Sequence, residues 1–577
     1  MPKNEPAEPV KTSESAPSEI RRPGKLQQIW RWVCSHLAVT IPATIVLILA
    51  ILATVPQTRY GIAGLFLTQT LPITIADQQT KTPVSDATIK LAGHTATTDS
   101  HGRASLRVPV GPATLVISKK YYETITRTIT IGFFKPRESL HLSFQANGRV
   151  VPVTVTNWIS GQPVSNAVIK AANTSAQTDE HGQATIVLPA GRAAVSANIT
   201  AGGFNDLAAN IQVVGQTSTD NDFTLTPSGQ IYLLSNLSGK IDVVKTNLDG
   251  TGRTTIVAGT GYEDPHNTSL LASRDWNYLV LESIRDTTNQ PKLYLINTSD
   301  GRLTTIDTPG PNNSISLIGW YNHYFLYDIT TYPPTGSASD KLKSFNADTG
   351  QLSVIDQTAA GISNSSSGAR QYFSNFTLLT NQVVYTVNWE TTYGDTSILG
   401  TVSNSLRGIQ PNGQGRKDYQ TFNASQTSYG NVTGYEPNAF YFSTTSNLAD
   451  SQSYYKFEDN TVSTASSAAA QTAFESTQPT YLVSPNGDQT LWSELRDGQN
   501  VPFLGDDDAG GAKQLTTATG SFEAYGWYTD NYVLLSQDSD ALYIAPAATG
   551  NHAPRKITDY YKAATSLAGY GYGYGAQ

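Results

Sequence analysis

The stretch PVSDATIKLAGHTATTDSHGRASLRVPVG begins at Pro83. It returns as PVSNAVIKAANTSAQTDEHGQATIVLPAG at Pro163, 80 residues on and without a gap. A repeat of this kind constrains the fold more than any composition value, because both copies must build the same unit. Pro83, Val84, Ser85, Ala87, Ile89 and Lys90 recur as Pro163, Val164, Ser165, Ala167, Ile169 and Lys170. Thr98-Asp99 and His101-Gly102 recur as Thr178-Asp179 and His181-Gly182, and Pro109 and Gly111 as Pro189 and Gly191. Apolar residues alternate at period two in Ala87/Ile89/Leu91, Ala104/Leu106/Val108 and Leu115/Ile117. That is the pattern of strands with one buried face. The Thr-Asp-x-His-Gly turn supplies an Asp that bonds local backbone and a Gly free to take positive φ. Each copy is therefore expected to be a small β-sandwich.

The repeat resembles the carboxypeptidase regulatory-like, or transthyretin-like, domain family. The matching residues are the Pro-Val-x-x-Ala-x-Ile strand, the Thr-Asp-x-x-Gly turn and the closing Val108–Gly111 or Leu188–Gly191. The resemblance covers about residues 70–147 and 150–226 and implies a spacer role without catalysis. His101 and His181 each sit in a turn with one Asp nearby, too few ligands for a metal. Lys90 alternates out of phase with Ile89 and Leu91. It should face solvent, which argues against an isopeptide cross-link.

From Ser228 to about Tyr560 the pattern stays β, but units of about 45–50 residues recur, a period of propeller blades. Examples begin at Ser269, Ile315, Thr480 and Phe522. Each reads as four strands joined by alternating short turns and longer loops. The units resemble TolB-type propeller repeats. The resemblance rests on Ser484-Pro485-Asn486-Gly487-Asp488 and Ser273-Arg274-Asp275 at the first turn. It rests also on Leu248-Asp249-Gly250-Thr251 and Ser299-Asp300-Gly301-Arg302 at the last. It implies a protein- or ligand-binding platform of seven blades, alternatively six, and leaves residues 372–476 poorly matched.

Leu37–Val55, LAVTIPATIVLILAILATV, is uncharged over 19 residues. At about 1.5 Å per residue it just spans a hydrocarbon core of about 30 Å. Lys3, Lys11, Arg21, Arg22, Lys25 and Arg31 precede it, and Arg59 is the one basic residue between it and Lys81. This asymmetry predicts a single-pass plasma-membrane anchor with a cytoplasmic N-terminus and the bulk of the chain outside. A cleaved signal peptide is disfavoured by the long n-region and by the lack of an A-x-A site. The lone cysteine, Cys34, rules out an internal disulfide within one chain.

The expected organisation is mainly β. Residues 1–36 form a disordered tail, 37–55 a transmembrane helix, 68–147 and 148–226 two β-sandwiches, 227–562 a β-propeller and 563–577 a Gly/Tyr-rich tail. Net charge is −8, which gives no reason to expect a nucleic-acid partner. No H-E-x-x-H or G-x-S-x-G motif occurs, so no catalytic residue, metal or cofactor is expected and the chain is read as a non-enzyme. Gly505-Asp506-Asp507-Asp508 reads as a solvated acidic turn rather than a Ca²⁺ loop. Trp320-Tyr321 and Trp527-Tyr528 hold the same place in two units, which points to packing between blades rather than to sugar stacking. The candidate ligand-binding residues are Tyr332, in Tyr332-Pro333-Pro334, and Trp389, Glu390 and Tyr393, in Trp389-Glu390-Thr391-Thr392-Tyr393. They are placed in exposed loops, where aromatic side chains bind at low entropic cost. The expected function is binding or adhesion by a membrane-anchored extracytoplasmic protein, whose partner is a surface protein or glycan. A propeller-based envelope hydrolase or lyase, and a purely structural envelope protein, are the alternatives.

Overall fold

The structure, a computed structural model, describes residues 63–559 apart from 135–137, 214–220, 287–289, 380, 437–438, 448–450, 467–481, 508, 538–540 and 551. It also describes residues 29, 35, 41–47, 50 and 60. Of the expected anchor, residues 41–47 are helical. Among the described residues no helix is long and apolar enough to cross a membrane. Most of Leu37–Val55, nearly all of the N-terminal tail with Cys34, and the Gly/Tyr-rich tail lie outside the described residues.

The two copies of the repeat fold into sandwiches of the same topology. In the first, Thr68–Asp77 lies between Arg103–Pro109 and Leu140–Phe144, antiparallel to one and parallel to the other. A four-stranded sheet faces it, in the order His94–Thr97, Thr88–Leu91, Gly111–Ser118, Ile125–Ile131. In the second, Arg149–Asn157 takes the central place between Gln183–Leu188 and Asp222–Leu225, with the same parallel pair. Ile73, Ile75, Ile89, Leu115 and Phe144 fill one core; Val151, Val155, Ile169, Ile186 and Ile199 fill the other. Lys90 and Lys170 are exposed.

The repeated turn residues act alike in both copies. Thr98 Oγ1 donates to Val84 O at 2.6 Å and accepts from Ala87 N at 2.9 Å. Thr178 does the same with Val164 and Ala167, at 2.7 and 2.8 Å. Asp99 Oδ1 accepts from the His101 and Arg103 amides, as Asp179 Oδ1 does from His181 and Gln183. Gly102 and Gly182 take φ of +68° and +69°, and a Cβ at either would overlap the carbonyl of Ile75 or Val155. Only glycine meets both demands. His101 and His181 are polar turn residues facing Glu180.

The sandwiches are joined through partly buried bonds. The Lys119 ammonium donates to Ser85 O and, at 2.6 Å, to Ser175 O of the second sandwich. The Gln177 amide donates to Ser85 Oγ at 2.8 Å. Val187 of the second sandwich packs into the core of the first. Burial pulls the Lys119 amine down to about 8, against the attraction of Asp86.

The head contains, among the described residues, seven antiparallel sheets in chain order: 230–257, 269–307, 313–357, 362–423, 427–464, 482–514 and 523–559. The first has three strands, the fourth five and the others four. Buried clusters join the second to the third, the third to the fourth, the fourth to the fifth and the sixth to the seventh. One more cluster joins Leu534, Ile544 and Ile557 of the seventh sheet to Ile231 and Val243 of the first and Leu279 and Ile296 of the second. Sheets that follow one another and return to the start form a β-propeller.

Tryptophans bind neighbouring sheets. Trp320 Nε1 donates to Leu271 O at 3.2 Å and Trp527 Nε1 to Leu482 O at 2.7 Å, each from the first strand of one sheet to the first strand of the preceding sheet. The tryptophans of the two aromatic pairs thus pack between sheets. Trp276 Nε1 donates to Tyr528 O at 3.2 Å, so the second sheet grips the seventh across the three-stranded first.

Candidate functional site

Antiparallel sheets give the propeller two edges. Within each four-stranded sheet the turns after the first and third strands share one edge; the turn after the second strand and the crossing to the next sheet share the other. The second sandwich docks on the former edge. Asn157 Nδ2 donates to Tyr532 Oη at 3.0 Å, and Thr226 Oγ1 donates to Asp249 Oδ2 at 2.7 Å. Ile159 enters the cluster with Leu248 and Ile557, and Trp158 lies against it, under the Arg555 guanidinium. We call this edge proximal and the opposite one distal.

Six large apolar side chains are exposed among the described residues of the head: Leu237, Tyr262, Tyr332, Val354, Tyr393 and Leu495. Val354 lies on the outer strand of the third sheet. The other five lie on the distal edge: Leu237, Tyr332, Tyr393 and Leu495 in or beside turns after second strands, Tyr262 in the crossing between the first two sheets. Scattered exposed apolar residues need no explanation, but their gathering on the edge away from the sandwiches does.

Local structure holds these side chains in place. The Glu263 carboxylate accepts from the Thr260 amide at 2.9 Å and the Gly261 amide at 2.8 Å, while Thr260 Oγ1 donates to Arg285 O at 2.9 Å. That ties the loop of Tyr262 to the second sheet. The Tyr332 amide donates to Asn312 O at 2.7 Å, just before Pro333-Pro334. Tyr393 Oη donates to Asn364 O at 3.2 Å, and Ser367 Oγ receives the Asp395 amide at 2.9 Å.

The four candidate residues share this edge on the adjacent third and fourth sheets, but in different roles. Tyr332 and Tyr393 are 50% and 52% exposed. Glu390 forms an ion pair with Arg370. Trp389, Glu390 and Tyr393 correct the expectation of a loop: all three lie within strand Val383–Gly394, and the Trp389 side chain is only 8% exposed. Trp389 is the buried one of the three. It packs with Ala369, Ile398, Leu399 and Ala424 beneath the short helix Thr396–Thr401. Trp389 therefore shores up the edge instead of facing solvent. Leu237, Tyr262 and Leu495 were not singled out in the sequence, because a single apolar residue in a polar loop carries no periodic signal.

Asp328 and Asp340 lie on one face of neighbouring strands of the third sheet, 3% and 2% exposed. Burial, and then its neighbour Asp340, push the Asp328 carboxyl far above the usual range; burial raises Asp340. The Phe373 amide donates to Asp340 Oδ2 at 2.7 Å, so the pair is shut between the third and fourth sheets. On the proximal edge, His323 places Nε2 2.7 Å from Asp275 and Nδ1 2.8 Å from Asp348, bridging the second and third sheets. Among the described residues no group of three or more His, Cys, Asp and Glu is arranged to hold a metal ion.

No protein-family model and no curated protein matches the chain. Solved structures similar to it include an oligogalacturonate lyase from Vibrio parahaemolyticus, 11% identical over 56% of this chain and 85% of that one, with a TM-score of 0.30. The β-propeller domain of the Trilobed protease from Pyrococcus furiosus is 10% identical over 64% and 95%, at 0.29. TolB from Acinetobacter baumannii is 12% identical over 62% and 77%, at 0.25. Likenesses this remote assign neither activity nor ligand.

Proposed function

We propose that this chain is a membrane-anchored extracytoplasmic recognition protein. Leu37–Val55 is the anchor, two transthyretin-like sandwiches are the stalk, and a TolB-like propeller of seven blades, one per sheet, is the head. A surface protein or glycan binds at the distal edge. The observation that carries this reading is the gathering of exposed Tyr262, Tyr332, Tyr393, Leu237 and Leu495 on the edge opposite the stalk. Exposed tyrosines on a rigid scaffold supply contact area at little entropic cost. The partly buried bonds at both joints suit a stiff spacer that points this edge away from the membrane.

A hydrolase or lyase would need carboxyls that a substrate can approach, and the enclosure of Asp328 and Asp340 lends that alternative no support. The test is retention of cell-wall and detergent-solubilised envelope fragments on the immobilised chain. Replacing Tyr262, Tyr332 and Tyr393 together by Ala should abolish retention and leave the melting temperature unchanged. Equal retention by this variant would refute the distal edge as the recognition surface.

A further inference from the structure

Among the described residues, the two sandwiches expose large apolar side chains at one place only. Between residues 63 and 226 these are Leu65, Phe66, Leu67 and Phe134, at 79%, 81%, 48% and 89% exposure, and none belongs to the second sandwich. All four lie at the same end of the first sandwich. Thr68 pairs with Pro109 and Gly111 with Ile131 at that end, while the opposite end carries Ser85 and Lys119 of the joint. The patch is thus on the end turned away from the second sandwich.

Residues 63–66 are helical and are fastened to this end. The Leu67 amide donates to Ala63 O at 2.8 Å, and the Val110 amide donates to Leu67 O at 3.1 Å. Gly64 lies so close that a Cβ there would be 2.8 Å from Val110 O. Gln69 Nε2 donates to Phe133 O at 2.7 Å, and the Phe133 ring stacks on Tyr60 with centroids 5.0 Å apart. Ala63 and Phe133 pack against the core, so Leu65, Phe66 and Phe134 are held outward on a fixed frame. An apolar cluster held outward in this way marks a contact with something outside the domain.

The sequence indicates what that is. Nine residues, 56–64, separate Leu65 from the uncharged run Leu37–Val55. Even fully extended, at about 3.5 Å per residue, they keep Leu65 within about 35 Å of Val55. Segments 56–70 and 107–114 contain Arg59 and Arg107 and no acidic residue, and the sequence 132–139 contains Lys135 and Arg137 with Glu138. Basic side chains beside aromatic and aliphatic ones suit the headgroup layer of a bilayer that contains anionic lipid.

We propose that Leu65, Phe66 and Phe134 insert into the headgroup layer of the membrane, so that the first sandwich stands on the bilayer by this end. This rests on the reading of Leu37–Val55 as an anchor, and it adds a second contact that fixes the direction of the stalk.

The test uses the full chain with Cys34→Ser, reconstituted in vesicles of phosphatidylcholine and phosphatidylglycerol. A single cysteine is introduced by Phe66→Cys, by Phe134→Cys or, at the opposite end, by Gln79→Cys at an exposed position, and carries an environment-sensitive fluorophore. Nitroxide-labelled lipids should quench the probes at 66 and 134, at a depth of about 5–10 Å, and leave the probe at 79 unquenched. Leu65→Ser together with Phe66→Ser should remove most of the quenching at 134. Resistance to an alkaline carbonate wash reads the anchor separately. If the chain resists the wash but the probes at 66 and 134 are quenched no more than that at 79, the proposal is overturned and the anchor stands. A chain that is washed off refutes the anchor, and the quenching measured beforehand still decides the contact. Probes shielded from water but not quenched by lipid would assign the patch to a protein surface, a second copy of this chain included, and would also overturn the proposal.

Discussion

Trp527→Phe is the sharpest probe of how the propeller is held together. Trp527 is 2% exposed, and its indole N–H is 2.7 Å from Leu482 O, in a strand whose Leu482 is 1% exposed. Phenylalanine keeps one aromatic ring but removes the donor and the rest of the indole. A buried carbonyl left without its donor costs about 1–3 kcal/mol. The void where the indole N–H edge stood adds about 1 kcal/mol. The expected loss is about 2–4 kcal/mol. In a unit as large as the head, about 2 °C per kcal/mol gives a fall of about 4–8 °C in melting temperature. Scanning calorimetry of the wild type, Trp527→Phe and Trp276→Phe measures it, with exposed Tyr332→Ala as a control expected to stay within about 0.5 kcal/mol. If Trp527→Phe melts with the wild type, the indole bonds do not hold adjacent sheets and the account of the ring is wrong.

Other perturbations probe the remaining joints. Gly182→Ala forces an alanine to φ of +69° against the Val155 carbonyl, and should lower sandwich stability by at least about 1–2 kcal/mol in chemical denaturation. Lys119→Ala removes the ammonium that spans Ser85 and Ser175; small-angle scattering should then show a broader spread of sandwich–sandwich distances, and an unchanged profile would deny the joint its stiffness. Asp275 first, and then Asp348, hold the His323 imidazole above its ordinary value, against burial. The stability this confers is full below about pH 6.5 and is lost as pH rises through the raised value. His323→Gln should therefore flatten that part of the melting profile. Burial holds the Glu282 carboxyl at about 7, above the ordinary 4.5, so its contribution is full below the ordinary value and is lost as pH climbs through 7. Glu282→Gln should raise the melting temperature at pH 8 and leave it unchanged at pH 4.

Much of the sandwich was legible in the sequence because its signals are local. Ile89 and Leu91 turn inward and Lys90 outward because side chains alternate along a strand. Asp99 and Asp179 bond amides two and four residues away. The candidate site was legible in part. Tyr332 and Tyr393 are exposed, although Tyr393 lies in strand Val383–Gly394 and not in a loop, but Trp389 is inside, because an apolar layer of Ala369, Ile398, Leu399 and Ala424 assembles over it from three separate segments. Asp328 and Asp340 are twelve positions apart in the sequence, and only strand pairing and the fourth sheet enclose them together.

By itself the sequence determined the repeated unit, the strand periodicity, the turns that require glycine and the four-strand recurrence of the head. These depend on neighbours within a few residues, which is the range over which backbone sterics and side-chain alternation act. The tertiary structure decided which edge of the propeller meets the second sandwich and which aromatic side chains remain in water. Those outcomes depend on groups hundreds of residues apart, such as Asn157 with Tyr532 and Trp276 with Tyr528. No local propensity encodes such pairs; they follow from how the sheets bury their faces against one another.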